Sequence, residues 1–242
     1  MRLVHISDLH FGSRFNETAF ESAVEEINSL EPDALVVSGD LSDDGLTHEF
    51  ERARDMLKGF KCKNLIVCPG NHDYRNTGYL ILKDYFSLKQ VYETEVAKII
   101  VLKTARPDKN EGEVGYRQQL WLEKQFRDTG KTRIVVMHHH LIPVPDTGVE
   151  RDTVIDAGDV LAALKRSKID LVLCGHKHRP WKWDFEGLKI MHAGSLSDIR
   201  LRGFFHNSYN IIDVDEKGIH GTVKVIGGDE LSFDVLEKER MN

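Results

Sequence analysis

The sequence predicts an α/β protein, a four-layer α/β/β/α sandwich of two mixed sheets flanked by helices. Three observations carry that prediction. Short apolar runs rich in Val, Ile and Leu recur as far as Cys174, which is how buried parallel strands read. Segments of helical period separate them. From residue 180 onward the pattern changes to alternating pairs of runs, the mark of hairpins.

The elements follow in order. Arg2-Leu3-Val4-His5-Ile6-Ser7 reads as a strand, and Phe20, Val24, Ile27 and Leu30 recur at helical spacing until Leu30-Glu31-Pro32-Asp33 closes that helix. A second strand, Ala34 to Ser38, is followed by a helix marked by Phe50, Ala53, Met56 and Leu57 and ended by Gly59; Leu65 to Pro69 is the third strand. This βαβαβ order implies a parallel sheet with right-handed crossovers. Val91–Thr94 and Lys98–Leu102 look like paired strands, Leu120, Leu122 and Phe126 suit a helix before the strand Arg133–Met137, and Val160, Leu161 and Leu164 suit one before Asp170–Cys174. Trp181–Glu186 with Lys189–His192, and Tyr209–Val214 with Gly221–Ile226, read as two hairpins. With no internal repeat, low-complexity tract or linker, residues 1–242 are expected to form one domain. Two polar loops, 105–115 and 143–153, stand out as places where specificity can be carried.

Composition narrows the class. A hydrophobic fraction of 40% supports a substantial core. A formal charge of −6 gives no general attraction to nucleic acid or to an anionic membrane, although bound metal ions would make one region locally positive. The 3 cysteines, Cys62, Cys68 and Cys174, imply no disulfide framework. Cys68 and Cys174 sit in apolar runs, as buried thiols do. No charged leader with an apolar stretch is apparent, and no apolar run approaches the ~20 residues of a membrane span. A cytoplasmic protein without membrane contact is expected.

The functional signal lies where the strand-like runs end. Asp8 and His10 follow the first, Gly39-Asp40-Leu41-Ser42-Asp43 the second, and Gly70-Asn71-His72-Asp73 the third. His138-His139-His140 and Gly175-His176-Lys177-His178 follow two more. Each motif alone is weak: Asp43 can cap a helix beginning near Leu46, and Gly-Asn can be a tight turn. Together they place carboxylate, amide oxygen and imidazole at the carboxyl ends of strands, where open α/β sheets bind ligands. That donor set predicts a metal site with room for two ions.

The ordered pattern Asp-x-His, Gly-Asp-x-x-Asp, Gly-Asn-His-Asp, His and Gly-His-x-His resembles the signature of the calcineurin-like metallophosphoesterases and spans residues 8 to 178. The opening Met-Arg-Leu-Val-His-Ile-Ser-Asp-Leu-His-Phe-Gly, and the stretch from Ala193-Gly194-Ser195 through Arg200-Leu201-Arg202-Gly203 to Ser208-Tyr209-Asn210, are similar to the cyclic-nucleotide phosphodiesterase subgroup. The resemblance implies two divalent transition-metal ions. Asp8, His10 and His178 would hold one, Asn71, His138 and His176 the other, and Asp40 would bridge both through its two oxygens. Mixed oxygen and imidazole donors favour Mn, Fe or Zn over Ca or Mg. His72 is the implied catalytic histidine, stabilising the attacked phosphate or protonating the leaving alkoxide, with Asp43 orienting it by a hydrogen bond.

Within the histidine triplet, strand alternation would turn His139 away from His138, and His138 is the expected ligand; His140 has no assigned role. Arg200 and Arg202 are substrate candidates because guanidinium matches phosphate geometry, or else solvated loop arginines. Trp181 and Trp183 can stack on a base, but core packing is the expectation. His5, His192 and His206 are read as structural or surface residues. The implied activity is hydrolysis of a small phosphodiester, a 3',5'-cyclic nucleotide among the candidates, by attack of a metal-bound hydroxide. A DNA nuclease of the SbcD repair type, hydrolysis of a lipid-linked pyrophosphate and a catalytically silent metal-binding scaffold are the alternatives.

Overall fold

The computed structural model describes residues 1–127, 129–203 and 205–238. Its elements run β1 (Arg2–Ile6), α1 (Glu17–Ser29), β2 (Ala34–Val37), α2 (Thr47–Leu57), β3 (Leu65–Val67), α3 (Gly78–Tyr85), β4 (Val91–Glu93), β5 (Ala97–Val101) and α4 (Tyr116–Gln125). There follow β6 (Thr132–Val136), α5 (Ala157–Arg166), β7 (Leu171–Cys174), β8 (Trp181–Phe185), β9 (Leu188–His192), β10 (Ser208–Asp215), β11 (Gly218–Val225), β12 (Glu230–Ser232) and α6 (Phe233–Lys238). A 3₁₀ turn, His72–Tyr74, follows β3. Among the described residues no helix is long and apolar enough to cross a membrane.

Two six-stranded sheets form, in the orders β12-β11-β10-β1-β2-β3 and β4-β5-β6-β7-β9-β8. Strands β1, β2 and β3 pair in parallel, and so do β5, β6, β7 and β9. The expected hairpins are present as β8/β9 and β10/β11, and β10 closes antiparallel against β1, with Leu3 opposite Ile212. Three elements were not expected: α3, β12 and α6.

Alternation along the strands builds the layers. Leu3, Val36, Ile134, Val136, Leu171 and Leu173 meet in a core between the sheets. Their neighbours turn outward: Val4, Leu35 and Val37 pack beneath Phe20, Ile27 and Phe50 of α1 and α2, and Val135 and Val172 pack beneath Leu122, Val160 and Leu164 of α4 and α5. Trp181 belongs to the inter-sheet core, as expected for an aromatic with so much area to bury.

Local signals fix the helix starts. Asn16 caps α1, its side-chain oxygen accepting from Ala19 N at 3.1 Å. At α2 it is Glu49 that accepts from Leu46 N at 3.1 Å and Asp44 N at 3.0 Å. Asp43 is therefore not the cap of this helix, which frees its carboxylate for another use.

Candidate active site

All five ligand-bearing segments lie at the same edge of the sandwich, and their backbone reverses sharply there. Asp8 (φ 54), His10 (φ 52), Asp40 (φ 53), His176 (φ 72) and His178 (φ 51) occupy the left-handed region, which non-glycine residues enter only when their surroundings enforce it. The loops hold one another: Asp8 N donates to Gly39 O at 3.0 Å, His10 N to Asp40 O at 3.0 Å, and Gly175 N to His138 O at 2.9 Å. Gly70 passes so close to Asp40 that a Cβ would strike its carboxylate and its backbone nitrogen.

The histidines are oriented in a common way. His10 Nδ1 meets Asp43 Oδ1 at 2.9 Å, His138 Nδ1 donates to Ser38 O at 2.7 Å, and His178 Nδ1 donates to Arg200 O at 2.7 Å. A partner on one ring nitrogen fixes the tautomer and aims the other, as ligating imidazoles require. The aimed nitrogens converge: His10 Nε2 lies 3.2 Å from His178 Nε2, and His138 Nε2 lies 3.2 Å from His176 Nδ1. Asn71 Oδ1 stands 3.0 Å from His138 Nε2 and 2.9 Å from His176 Nδ1. Asp8 Oδ1 is buried without a hydrogen-bond donor, 3.1 Å from His178 Nε2. Lone pairs this close repel unless a cation lies between them. The residues therefore fit a pair of metal ions, one at Asp8, His10 and His178 and one at Asn71, His138 and His176.

Asp40 lies between the two sets. Its Oδ2 is 3.3 Å from His138 Nε2 and 3.8 Å from His10 Nε2. Its Oδ1 accepts the backbone N–H of His72 at 2.8 Å, and Oδ2 is the oxygen that faces both donor sets. Burial alone would raise the Asp40 carboxyl, but His138, His72 and His10 reverse that and hold it well below the usual carboxylate range. Burial likewise opposes protonation of His138, yet Asp40 and Asp8 push its pKa up to about 9. The pocket favours positive charge where the aimed nitrogens meet.

His139 sits within ligand distance of His138 and His176, but both its nitrogens are engaged. Thr104 Oγ1 donates to Nδ1 at 2.7 Å and Nε2 donates to Asn110 O at 2.9 Å. His138 and His139 continue the in–out alternation of β6, which places His138 on the pocket side.

His72 stands beside the two sets rather than within either. Its Nδ1 donates to Asp43 O at 2.6 Å, and its Nε2 faces Arg75 Nη2 at 3.2 Å. Burial lowers its pKa to about 4, with Asp40 opposing and His10 and Arg75 reinforcing the fall. The expectation for Asp43 needs correction here. Its carboxylate meets His10 and is clasped by Arg14 Nε at 3.0 Å and Nη2 at 2.8 Å. Only its backbone carbonyl touches His72, so a carboxylate in reach of His72 was not the right picture.

The roles of Asp198, Arg14 and Asp73 were not foreseen. Asp198 Oδ2, fully buried, lies 3.5 Å from His10 Nε2, 3.4 Å from His178 Nδ1 and 3.4 Å from Arg14 Nη1. Arg14 thus joins two carboxylates that flank His10. Asp73 staples the loops, accepting Ser42 N at 2.9 Å and Gly70 N at 2.9 Å, and burial beside Asp40 raises its pKa to about 7.

Above the clustered donors is a cleft of about 160 Å³ lined by His72, Asn110, Asp152 and the guanidinium-bearing Arg14, Arg75, Arg200 and Arg202. Arg202 Nη1 donates to Thr147 O at 2.8 Å, and the Arg200 side chain is exposed. A larger groove of about 580 Å³, lined by Ile142, Leu161, Phe185 and Leu188 among others, contains none of these groups. His5 and His192 are buried behind the site, and His206 is exposed.

Comparison with known proteins bears on family and fold. The family model for calcineurin-like phosphoesterases matches residues 1–180. The glycerophosphodiester phosphodiesterase GpdQ of Enterobacter lignolyticus is 27% identical over 198 residues, covering 74% of this chain and 71% of that protein. The cAMP/cGMP dual specificity phosphodiesterase MT0825 of Mycobacterium tuberculosis is 26% identical over 213 residues, covering 80% of this chain and 66% of that protein. In fold, a dimetal phosphatase from Danio rerio superimposes with a TM-score of 0.71 at 12% identity, covering 96% of this chain and 98% of that one.

Proposed function

Because this chain belongs to the calcineurin-like phosphoesterase family, a family of dimetal hydrolases of phosphate esters, we propose that its substrate is a small phosphodiester, with a 3',5'-cyclic nucleotide the first candidate. One observation carries the reading: two sets of imidazole and oxygen donors share Asp40 at the floor of a cleft ringed by four arginines and His72.

Two ions bound there would supply Lewis acidity and a water of lowered pKa. The protein's own part is positioning and charge. Arg14, Arg75, Arg200 and Arg202 bring guanidinium groups to the cleft, where they can pair with phosphoryl oxygens. His72 is neutral at rest, its Nδ1 proton committed to Asp43 O, so Nε2 is the atom left for the substrate. His72 Nε2, unprotonated at rest, can accept a proton from the attacking water and pass it to the leaving oxygen, while the neighbouring Arg75 stabilises the negative charge that develops there.

Size and charge favour a small diester. The cleft is well below the ~300–1,000 Å³ of pockets that enclose whole ligands, so it admits the phosphoryl group and leaves the bulk of its substituents outside. The net charge of −6 offers no extended basic track for a polymer. The relatives named phosphodiesterases support the same choice. The thiols Cys62, Cys68 and Cys174 are free, which suits a reducing cytoplasm. The donor set, rich in imidazole and without thiolate, suits Mn or Fe, with Zn as a third fit.

The test is kcat/KM for a bis-aryl phosphate, an aryl monophosphate and cyclic AMP, with nuclease activity measured on single-stranded DNA. Diesters should lead. A monoester preferred over both diesters, or efficient cleavage of DNA with cyclic AMP untouched, would overturn the substrate class.

A further inference from the structure

Beside His176 lies a second cluster of charged and titratable groups with no part in the chemistry above. His140 is fully buried and stacks on His176, ring centroids 5.5 Å apart at 19°. Lys177, between the two histidines of Gly-His-x-His, is 3% exposed. Both reach one atom of the 143–153 loop: Glu150 Oε2 lies 2.7 Å from His140 Nε2 and 3.2 Å from Lys177 Nζ. The other oxygen, Oε1, accepts Arg151 N and Asp152 N, each at 2.9 Å, and Val154 N donates to His140 O at 3.2 Å.

An ammonium group is almost never buried without an anion, because its desolvation must be offset by pairing. Opening the loop would strand Lys177 and His140 together. Glu150 is therefore a latch. It closes on the loop that carries Asp152 to the cleft, and its charge lies against the imidazole that runs near-parallel to the His176 ring. Partners that orient a ligating histidine commonly govern the affinity of its ion.

We infer that Glu150 is a positioning residue: by latching the 143–153 loop to His140 and Lys177, it fixes the His176 ring and sets the affinity of the ion held by Asn71, His138 and His176. This rests on the two-ion reading, and the test separates them. Metal-stripped wild type, Glu150→Gln and Glu150→Ala are titrated with Mn²⁺ by calorimetry, with kcat and KM measured at limiting and saturating Mn²⁺. Wild type should bind two ions. Both variants should bind one ion as wild type does and the other roughly 10–100-fold more weakly, with kcat recovering at saturating Mn²⁺ as a global folding defect would not. The double variant Glu150→Met with Lys177→Met, which removes the buried charge pair, should fold and still show the weakened second ion. Two ions bound with wild-type affinity by Glu150→Ala would overturn the latch. A wild type that binds fewer than two ions would instead overturn the two-ion reading, and the latch with it.

Discussion

Replacing Asp43 by Asn isolates the residue whose role the geometry revised. The carboxylate is half of a clasp: Oδ1 takes His10 Nδ1 at 2.9 Å and Arg14 Nε and Nη2 at 3.0 and 2.8 Å, and Oδ2 takes Arg14 N at 3.2 Å. An Asn side chain of the same shape keeps one acceptor and turns an amide N–H toward the other donors. The loss includes the carboxylate charge that faces His10 Nδ1, and removing such a partner typically weakens a metal by about 10–100-fold, or ~1.4–2.8 kcal/mol at about 1.4 kcal/mol per factor of ten. The defect should fall on the ion held by Asp8, His10 and His178, because His72 is bonded to the Asp43 carbonyl, which the substitution keeps. The assay is competition for Mn²⁺ against a chelator, with turnover measured at saturating Mn²⁺ alongside His72→Ala. Asp43→Asn should lose affinity at one ion and recover most of its turnover; His72→Ala should keep both ions and lose turnover by roughly 10²–10⁴-fold. If Asp43→Asn kept both affinities and lost turnover as His72→Ala does, the carboxylate would be acting through His72 and the reasoning would fail.

Asp40→Ala should release both ions and abolish most hydrolysis, since Asp40 Oδ2 faces both donor sets; elemental analysis showing two ions retained would refute the shared role. His192 gives a pH test of the fold. Burial, with His140, His5 and Lys177 adding to it, lowers its pKa to about 3, and neither ring nitrogen has a partner. The unfolded chain takes up this proton near pH 6.5 and the folded one only near 3. Its contribution is therefore full above pH 6.5 and falls by up to about 1.4 kcal/mol per unit as pH drops toward 3. Urea unfolding of wild type and His192→Phe at pH 7 and pH 5 should show the variant gaining relative to wild type at the lower pH. A constant gap would mean that His192 is readily protonated in the fold.

Much of the architecture could be read from the chain because it rests on local pattern. The runs ending at Ile6, Val37, Val67, Val136 and Cys174 are β-rich and bracketed by helical periods; period-two alternation separates His138 from His139, but the preference for His138 rests on its place directly after the strand and on the family resemblance. The pairs that matter most are not local. Asp43 and His10 are 33 residues apart, and Lys177 and Glu150 are 27 apart with a helix and a strand between them; nothing in either stretch marks its partner. Asp198 follows Ala-Gly-Ser-Leu-Ser with no ligand-like neighbour, and only the return of the chain between β9 and β10 brings it beside His10. Helix α3 was missed for a different reason: Gly-Tyr-Leu-Ile-Leu-Lys-Asp-Tyr is short and rich in residues equally at home in a strand.

The left-handed backbone at Asp8, His10, Asp40, His176 and His178 bears on whether this pocket can be transplanted. A designer who copied the seven donor side chains onto the strand ends of another α/β sheet would copy the wrong thing. Each reversal costs on the order of 1–3 kcal/mol where nothing enforces it, and here Gly39 O and Asp40 O hold the backbone of Asp8 and His10 while the Asp8 carboxylate holds that of His176. The portable unit is the knot of crossing loops, Gly70 included, and a graft lacking it would relax the ligands out of aim before any ion arrived.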